Sequence, residues 1–232
     1  MSRSIFRRAR HRVVVQALAA FDVDFLDRTQ CYFGGGTRIV LELGEYRESE
    51  DIDFLCSSRD GYRALRSAVS EQSLGPLLSE TLPLAREVRA DQYGIRTFLE
   101  VDGHKLKCEV IREGRIEVAG ARCDGIPVPC LDRRSCFAEK WLANADRWND
   151  AAVLSRDVVD LAFMLEGWGA AEALAGGEIA RQAYGDVVER AARSAAGKLL
   201  DDEGYRRTCV RQLGISDLGT LEAGLRRLMT GP

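Results

Sequence analysis

The sequence lacks three features that would each point to a particular class of protein. Its 7 cysteines include no Cys-x-x-Cys pair, so the ligand spacing typical of a zinc site is absent. No apolar run approaches the ~20 residues needed to cross a bilayer, and no apolar segment near the first residue indicates a secretory signal. We therefore expect a reduced, cytoplasmic protein with free thiols and no membrane partner.

An excess of basic residues is also absent. The chain has 33 Lys and Arg and 36 Asp and Glu, and its formal net charge is −3. Overall charge therefore does not indicate a nucleic-acid partner. Arginines nevertheless cluster within residues 3–12 and again toward the C-terminus, at Arg190, Arg193, Arg206, Arg207 and Arg211. Each cluster is compatible with binding an RNA backbone or with an ordinary solvated helix face. No aromatic-rich RNA-recognition motif accompanies them.

The spacing of apolar residues divides the chain into two parts. The first part has short apolar runs that predict strands at 52–56, 95–101, 105–111 and 116–119, with helices at 4–21, 39–43 and 59–73 and a short apolar segment at 31–33. Asp102-Gly103 is a favoured two-residue hairpin turn between two of these strands. The second part is helical, with helices predicted at 134–148, 155–167, 170–175, 178–200 and 217–229. We expect an α+β protein with a mixed-sheet core at 1–130 and a helical domain at 131–232.

Two acidic residues alternate in the strand predicted at 52–56. Side chains two positions apart on a strand point to the same face, so Asp51 and Asp53 are expected to lie together. Two neighbouring carboxylates repel each other unless a divalent cation binds both. Oxygen ligands of this kind suit Mg²⁺ (or Mn²⁺), which takes one or two carboxylates together with substrate phosphates. A solvated pair at the end of a strand is the alternative.

A glycine-rich turn precedes this strand. Gly35 and Gly36 come directly before Thr37, and a short helix is predicted to follow. Glycine allows backbone N–H groups to approach a phosphate closely, and the start of a helix attracts anions. A Gly-Gly-Thr turn, a short helix and a strand with two acids together predict a site for a nucleoside triphosphate and its metals.

A third carboxylate would complete a two-metal site, and Glu109 is the candidate. It interrupts the apolar residues of the strand predicted at 105–111, between Cys108 and Val110. The alternative is that Glu109 faces solvent with Lys105 and Lys107, which share its side of the strand.

The spacing of these motifs resembles that of the polymerase-β-like nucleotidyltransferases. The finer pattern, in which Gly-Gly-Thr is followed by Arg47-Glu48-Ser49-Glu50-Asp51-Ile52-Asp53-Phe54, is similar to the AbiEii/AbiGii group. That group supplies toxins of bacterial toxin–antitoxin and phage-defence systems and includes the mycobacterial MenT toxins. The stretches 137–140 and 156–161 resemble its second and third motifs. The third carboxylate is often Asp in such enzymes, whereas this chain has Glu109.

The resemblance implies a role for each motif. Asp51, Asp53 and Glu109 would be the catalytic metal ligands. The nucleotide would be bound by Gly35, Gly36, Thr37, Ser49, Lys140, Asp157 and Asp160. Lys140 would act as a catalytic charge that neutralises the triphosphate, and the helical domain would complete the nucleotide site. The two helical aspartates could instead orient Lys140 or Arg147, or serve only at the start of a helix.

The expected reaction is attack by an acceptor hydroxyl on the α-phosphate of an NTP, with release of pyrophosphate. The resemblance implies the 3′ end of tRNA as the acceptor, a growth-inhibiting toxin of an AbiE-like type IV system as the biological role, and a cognate antitoxin as a partner protein. Two alternatives stay open at this point. One is transfer to a protein side chain, as in AMPylation, and the other is a non-catalytic nucleotide-binding module.

Overall fold

The computed structural model describes residues 6–231 and has an α+β architecture that divides into two units. The first unit comprises residues 6–42 and 49–132, and the second comprises residues 43–48 and 133–231. Across the described range, every helix is too short or too polar to cross a membrane.

A mixed sheet organises the first unit. Its strands are β1 (Cys31–Gly34), β2 (Ile52–Cys56), β3 (Leu84–Ala90), β4 (Gly94–Val101), β5 (His104–Arg112), β6 (Gly120–Ala121) and β7 (Cys130–Leu131). Their order across the sheet is β3-β4-β5-β2-β1-β7-β6. Two of the pairings, β2 with β5 and β1 with β7, are parallel, and the others are antiparallel.

One face of this sheet is covered by helices. The helices of the first unit are α1 (Ala9–Ala19), α2 (Val23–Arg28), α3 (Gly35–Glu42) and α4 (Arg59–Ala68), with a 3-10 turn at Gly75–Leu77. Val14 and Leu18 of α1 are fully buried in the same apolar core as the inward residues of β2, β4 and β5. The ring of Phe21, just after α1, lies 4.9 Å from that of Phe54 on β2. The covered face therefore carries the core, and the alternation of each strand directs six charged residues to the other face: Asp53, Arg96, Glu100, Lys105, Lys107 and Glu109.

Side chains of the loops fix where these helices and strands begin and end. Asp22 accepts a hydrogen bond from the Phe25 backbone N–H and caps α2. The β4–β5 hairpin turns at Asp102 and Gly103, whose φ angles are 49° and 75°. Two consecutive positive φ angles are the geometry that the Asp-Gly pair favours, and the predicted hairpin is confirmed.

The second unit is helical. Its helices are α5 (Arg133–Arg147), α6 (Arg156–Trp168), α7 (Ala170–Tyr184), α8 (Val187–Asp201), α9 (Glu203–Leu213) and α10 (Leu218–Thr230), with a 3-10 turn at Ala151–Val153. Small residues allow these helices to approach closely. A Cβ on Gly224 of α10 would lie 2.4 Å from the Ala162 carbonyl of α6, and one on Gly176 of α7 would lie 2.4 Å from Cβ of Phe137 on α5.

Residues 43–48 join this helical unit although they are distant from it in sequence. The Tyr46 ring stacks on Phe163 of α6 with ring centroids 3.8 Å apart. The Glu48 N–H donates to the Leu213 carbonyl at 2.9 Å, and the Ser216 N–H donates to the Tyr46 carbonyl at 2.9 Å.

Some of the predicted elements are wrong. The strand expected at 116–119 is absent, because Glu113 accepts hydrogen bonds from the N–H groups of Arg115 and Ile116, and the Val118 N–H donates to a serine side chain. The break expected at 175–178 is also absent, since α7 continues to Tyr184 and the chain turns at Gly185, where φ is 68°. Residues 4 and 5 of the first predicted helix lie outside the described residues.

Candidate active site

The turn between β1 and α3 brings the glycines next to an acid. Gly35 is the first residue of α3 and has a φ of 68°. A Cβ at this position would lie 2.5 Å from Oδ2 of Asp53. Only glycine therefore satisfies both the backbone angle and the space beside the carboxylate. The same turn presents the N-terminal end of α3, where free N–H groups favour an anion.

Asp53 occupies the centre of the predicted set of acids. It pairs in register with Gly34 of β1 on one side and with Glu109 of β5 on the other. Asp51 lies one residue before β2 begins. Because Asp53 and Glu109 are directly opposite each other on neighbouring strands, their side chains share one face and lie about 4.8 Å apart at the backbone. All three carboxyl groups are half-buried.

A lysine already lies among these acids. The Lys107 ammonium donates to Oε2 of Glu109 at 2.5 Å. Burial lowers the pKa of Lys107, yet the net pKa is raised, because the hydrogen bond to Glu109 and the charges of Glu109, Asp53 and Asp51 all favour the ammonium form. Nε of Arg96, on β4, approaches the other oxygen of Glu109 at 3.4 Å. The three acids therefore create a field that holds a cation.

The arrangement fits a magnesium ion in part. Within residues 6–231, no three Asp, Glu, His or Cys side chains converge closely enough to hold a metal ion. Magnesium usually needs only one or two carboxylates, with water and substrate phosphates completing its ligands. Asp53 and Glu109, paired in register, meet that requirement, with Asp51 beside them.

Thr37 and Ser49 meet on the side of the site nearest α3. The Thr37 hydroxyl is buried and lies 2.8 Å from the Ser49 hydroxyl. This contact connects the first turn of α3 with the residues that lead into β2.

The other predicted residues belong to the second unit and form a buried ionic cluster. The Lys140 ammonium lies 2.9 Å from Asp157 and 2.7 Å from Asp160. Arg147 also binds Asp157, with Nε 2.7 Å from its carboxylate. Arg47 binds both carboxylate oxygens of Asp160, at 2.7 and 2.8 Å.

The charges of this ionic cluster stabilise one another. Burial alone would raise the pKa values of Asp157 and Asp160. The attraction of the nearby cations outweighs burial, so both pKa values lie below the ordinary range. Burial likewise lowers the pKa of Lys140, but the two carboxylates raise it by more, so the net pKa of Lys140 is raised. The Lys140 residue is only 6% exposed.

Sequence reasoning missed the part that Arg47 and Tyr46 play. Both bind Asp160, Arg47 through its guanidinium and Tyr46 through a 2.6 Å hydrogen bond from its hydroxyl. Arg47 belongs to the quoted motif but was given no role there. Several acids lie close to it in the sequence, so its actual partner, Asp160, could not be inferred. Lys107 was expected on the same side of the strand as Glu109, but the contact of Arg96 with Glu109 was missed, because cross-strand neighbours become visible only once the register is known.

The C-terminal arginines are largely engaged within the second unit. Arg193 pairs with Glu189, and Arg207 with Glu203. Arg206 donates to the carbonyls of Leu199 and Leu200. Of the N-terminal arginines, Arg10 pairs with Glu50 at 2.8 Å, and Arg3 lies outside the described residues.

Comparison with known proteins identifies the family of the chain. The family model described as the nucleotidyl transferase AbiEii toxin of a type IV toxin–antitoxin system matches residues 16–214. No curated protein sequence is significantly similar to the chain.

Two solved structures share the fold. One is a candidate nucleotidyltransferase from Helicobacter pylori, with a TM-score of 0.56 and 17% identity over 95% of this chain and 93% of the other. The second is JHP933 from Helicobacter pylori, with a TM-score of 0.53 and 16% identity over 97% of this chain and 94% of the other.

Proposed function

The chain belongs to the family of AbiEii nucleotidyl transferase toxins, and we propose that it transfers a nucleoside monophosphate from an NTP to the 3′ end of an RNA, with tRNA as the expected acceptor. The observation that carries this proposal is the position of Asp53. Its carboxylate lies against the bare backbone of Gly35 and opposite Glu109. Acids and a glycine-lined helix start thus meet at one point, as binding of a metal–triphosphate complex requires.

Asp51, Asp53 and Glu109 would hold magnesium or manganese. Such a metal, when bound, lowers the pKa of the attacking hydroxyl and offsets the charge of the triphosphate. Glu109 would hold the metal through the carboxylate that Lys107 contacts in the structure, and the Lys107 ammonium would then be available to offset phosphate charge.

The chain's own groups bind and orient the nucleotide. The N–H groups of Gly35, Gly36 and Thr37, at the start of α3, would donate to phosphate oxygens, aided by the positive end of the helix. Ser49 keeps the Thr37 hydroxyl in place through their 2.8 Å contact. Direct binding of the nucleotide by Lys140, Asp157 and Asp160 stays a prediction. In the structure the Lys140 ammonium is turned toward the two carboxylates, and we propose that it positions that cluster.

The biological role follows from the chemistry proposed. Adding a nucleotide to the 3′ end of tRNA blocks aminoacylation, so the enzyme would stop translation and act as the toxin of a type IV system. A neighbouring antitoxin protein, a role in phage defence and a cytoplasmic location belong to the same proposal.

The test is transfer of label from each α-³²P-labelled NTP, with Mg²⁺ and total bacterial RNA, to material separated by size. We expect label at the size of tRNA with wild-type protein and none with Asp53→Asn, which keeps the shape of the side chain but removes its charge. Label on a protein band would identify a protein acceptor instead. Absence of any label, together with Mg²⁺-dependent stabilisation by NTP, would identify a nucleotide-binding module.

A further inference from the structure

Two bulges in β3 place its arginines on the same side of the sheet. Arg86 is opposite Phe98 of β4, and Arg89 is opposite Arg96, with register shifts on both sides of Arg86. Residues three apart on a regular strand would face opposite sides. The extra residue brings both arginines to one face and leaves Val88 to point into the core, where it is 4% exposed.

That face is the one that carries the candidate active site. Phe98 is opposite Lys107 on β5, two residues before Glu109, and Arg96 is opposite Glu109 itself. Cross-strand partners point to the same side, so the face extends from Asp53 on β2 across three strands to β3. Two strand spacings, about 10 Å, separate β5 from β3.

The face is positively charged beyond the acids. It carries five cationic side chains, Arg86, Arg89, Arg96, Lys105 and Lys107, against the two carboxylates of Glu100 and Glu109. Arg96 and Lys107 bind Glu109. Within residues 6–231, the charged groups of Arg86, Arg89 and Lys105 have no ion-pair partner, and all three residues are exposed. Glu100 is likewise without an ion-pair partner among these residues, so the charge that remains unpaired on this face is three cations against one carboxylate, which is net basic.

An aromatic ring lies in the middle of this basic face. Phe98 is half-buried, between Arg86 on one side and Lys107 on the other. Exposed aromatic rings among basic side chains are the pattern by which sheets bind single-stranded nucleic acids: bases stack on the rings and cations contact the phosphates.

We propose that the open face of β3, β4 and β5 binds the single-stranded end of the RNA acceptor, with Arg86, Arg89 and Lys105 contacting phosphates and Phe98 stacking on a base. This inference rests on the proposed function, because the path leads to Asp53 and Glu109. A strand bound along it presents its 3′ hydroxyl at the acids. The negative overall charge of the protein is no obstacle, since the contact is local.

The experiment measures RNA binding separately from catalysis. The probe is a short single-stranded RNA with a fluorescein at its 5′ end and a free 3′ hydroxyl, and its anisotropy is titrated without NTP across a salt series. The variants are Arg86→Gln/Arg89→Gln and Phe98→Leu, which keeps an apolar side chain but removes the ring. The control is Arg59→Gln/Arg63→Gln, which removes two exposed charges from α4 in the same unit.

Loss of two phosphate contacts should lower the slope of log K against log salt by about 1.4, and weaken binding about 25-fold at ~0.1 M salt. Phe98→Leu should weaken binding about fivefold or more with little change in the slope. The control should bind as wild type does. Stabilisation by Mg²⁺ and NTP should be the same in all four proteins.

If Arg86→Gln/Arg89→Gln binds RNA as tightly as the wild-type protein does, the inference is overturned, even if transfer to RNA establishes the proposed function. Aggregation of that variant with unchanged RNA binding would assign the arginines to protection of the sheet edge instead. If wild-type enzyme labels a protein, and the double variant loses that labelling, the face belongs to a protein acceptor and the RNA assignment falls.

Discussion

Gly35 combines two constraints at a single residue. Its φ of 68° disfavours any side chain, and a Cβ would lie 2.5 Å from Asp53. Gly35→Ala should therefore displace the carboxylate, abolish Mg²⁺-dependent stabilisation by NTP and reduce transfer at least a hundredfold. The matched control is Gly103→Ala, because Gly103 has a φ of 75° with nothing within 4 Å of its Cβ position.

Both alanine variants should lose about 1–2 kcal/mol of unfolding free energy from the positive φ. Only Gly35→Ala should also lose nucleotide binding, as measured by thermal melts with and without Mg²⁺ and NTP. Equal nucleotide binding by the two variants would contradict the contact with Asp53.

Lys107 competes with a metal for Glu109, since its ammonium already binds that carboxylate. Lys107→Met should bind Mn²⁺ about five- to tenfold more tightly without nucleotide, which corresponds to about 1 kcal/mol of removed charge repulsion. Electron paramagnetic resonance of free Mn²⁺ measures this directly, and Lys105→Met, opposite Glu100, is the control. Unchanged Mn²⁺ affinity would show that Glu109 is not a ligand.

Local rules in the sequence predict the candidate acids. Alternation places Asp51 and Asp53 on one face of a strand, and a hairpin around Asp102-Gly103 follows from turn chemistry. The partners of those acids could not be predicted. Which residue lies opposite Asp53 depends on strand order, and parallel pairing of β2 with β5 is not encoded in either strand alone.

At the scale of the helices, the buried ionic cluster connects α5 and α6 with residues 43–48. Asp160→Asn would leave Arg47 and Lys140 buried with less opposing charge. Breaking a buried pair of this kind costs about 3–5 kcal/mol. Urea unfolding of the variant should show that loss, whereas Asp201→Asn, at an exposed position of α8, should change stability by less than about 0.5 kcal/mol. A loss as small as the control's would mean that water reaches the cluster.

The same cluster predicts a pH dependence. The pKa values of Asp157 and Asp160 are lowered in the folded protein. Their contribution to stability is therefore complete above the unfolded value of about 4 and is lost as pH falls from there toward the folded values. Wild type should lose stability between about pH 5 and pH 3 more steeply than Asp160→Asn. Parallel profiles would contradict the lowered pKa.

Two helices, α2 and α9, were not predicted, and the end of α7 was misplaced. Gly176 and Gly177 indicated a break, but α7 continues through them because Gly176 allows close packing on α5. Glycine at a helix contact and glycine at a helix end look the same in a sequence. Only tertiary packing distinguishes Gly176 from Gly185, where the chain does turn.

For the whole molecule, the proposed toxin activity predicts a growth phenotype. Induced expression of wild-type protein in a bacterial host should stop growth, and expression of Asp53→Asn at an equal level should not. Colony counts and pulse-labelled protein synthesis measure the two effects. Growth arrest by Asp53→Asn would separate toxicity from nucleotide transfer.

The segment 43–48 also sets the order in which the protein can be completed during its own synthesis. Arg47 can pair with Asp160 only after that residue has been made. The Tyr46 carbonyl accepts a hydrogen bond from the Ser216 hydroxyl, 170 residues later in the chain. At 5–20 residues per second, that interval is roughly ten to thirty seconds of translation. The residues that lead into the strand of Asp51 and Asp53 thus gain their first anchors at Asp160 and Phe163, and their last ones only after Leu213 and Ser216 have been made. For a protein proposed to stop translation, we expect this delay to postpone activity until synthesis of the chain is nearly complete.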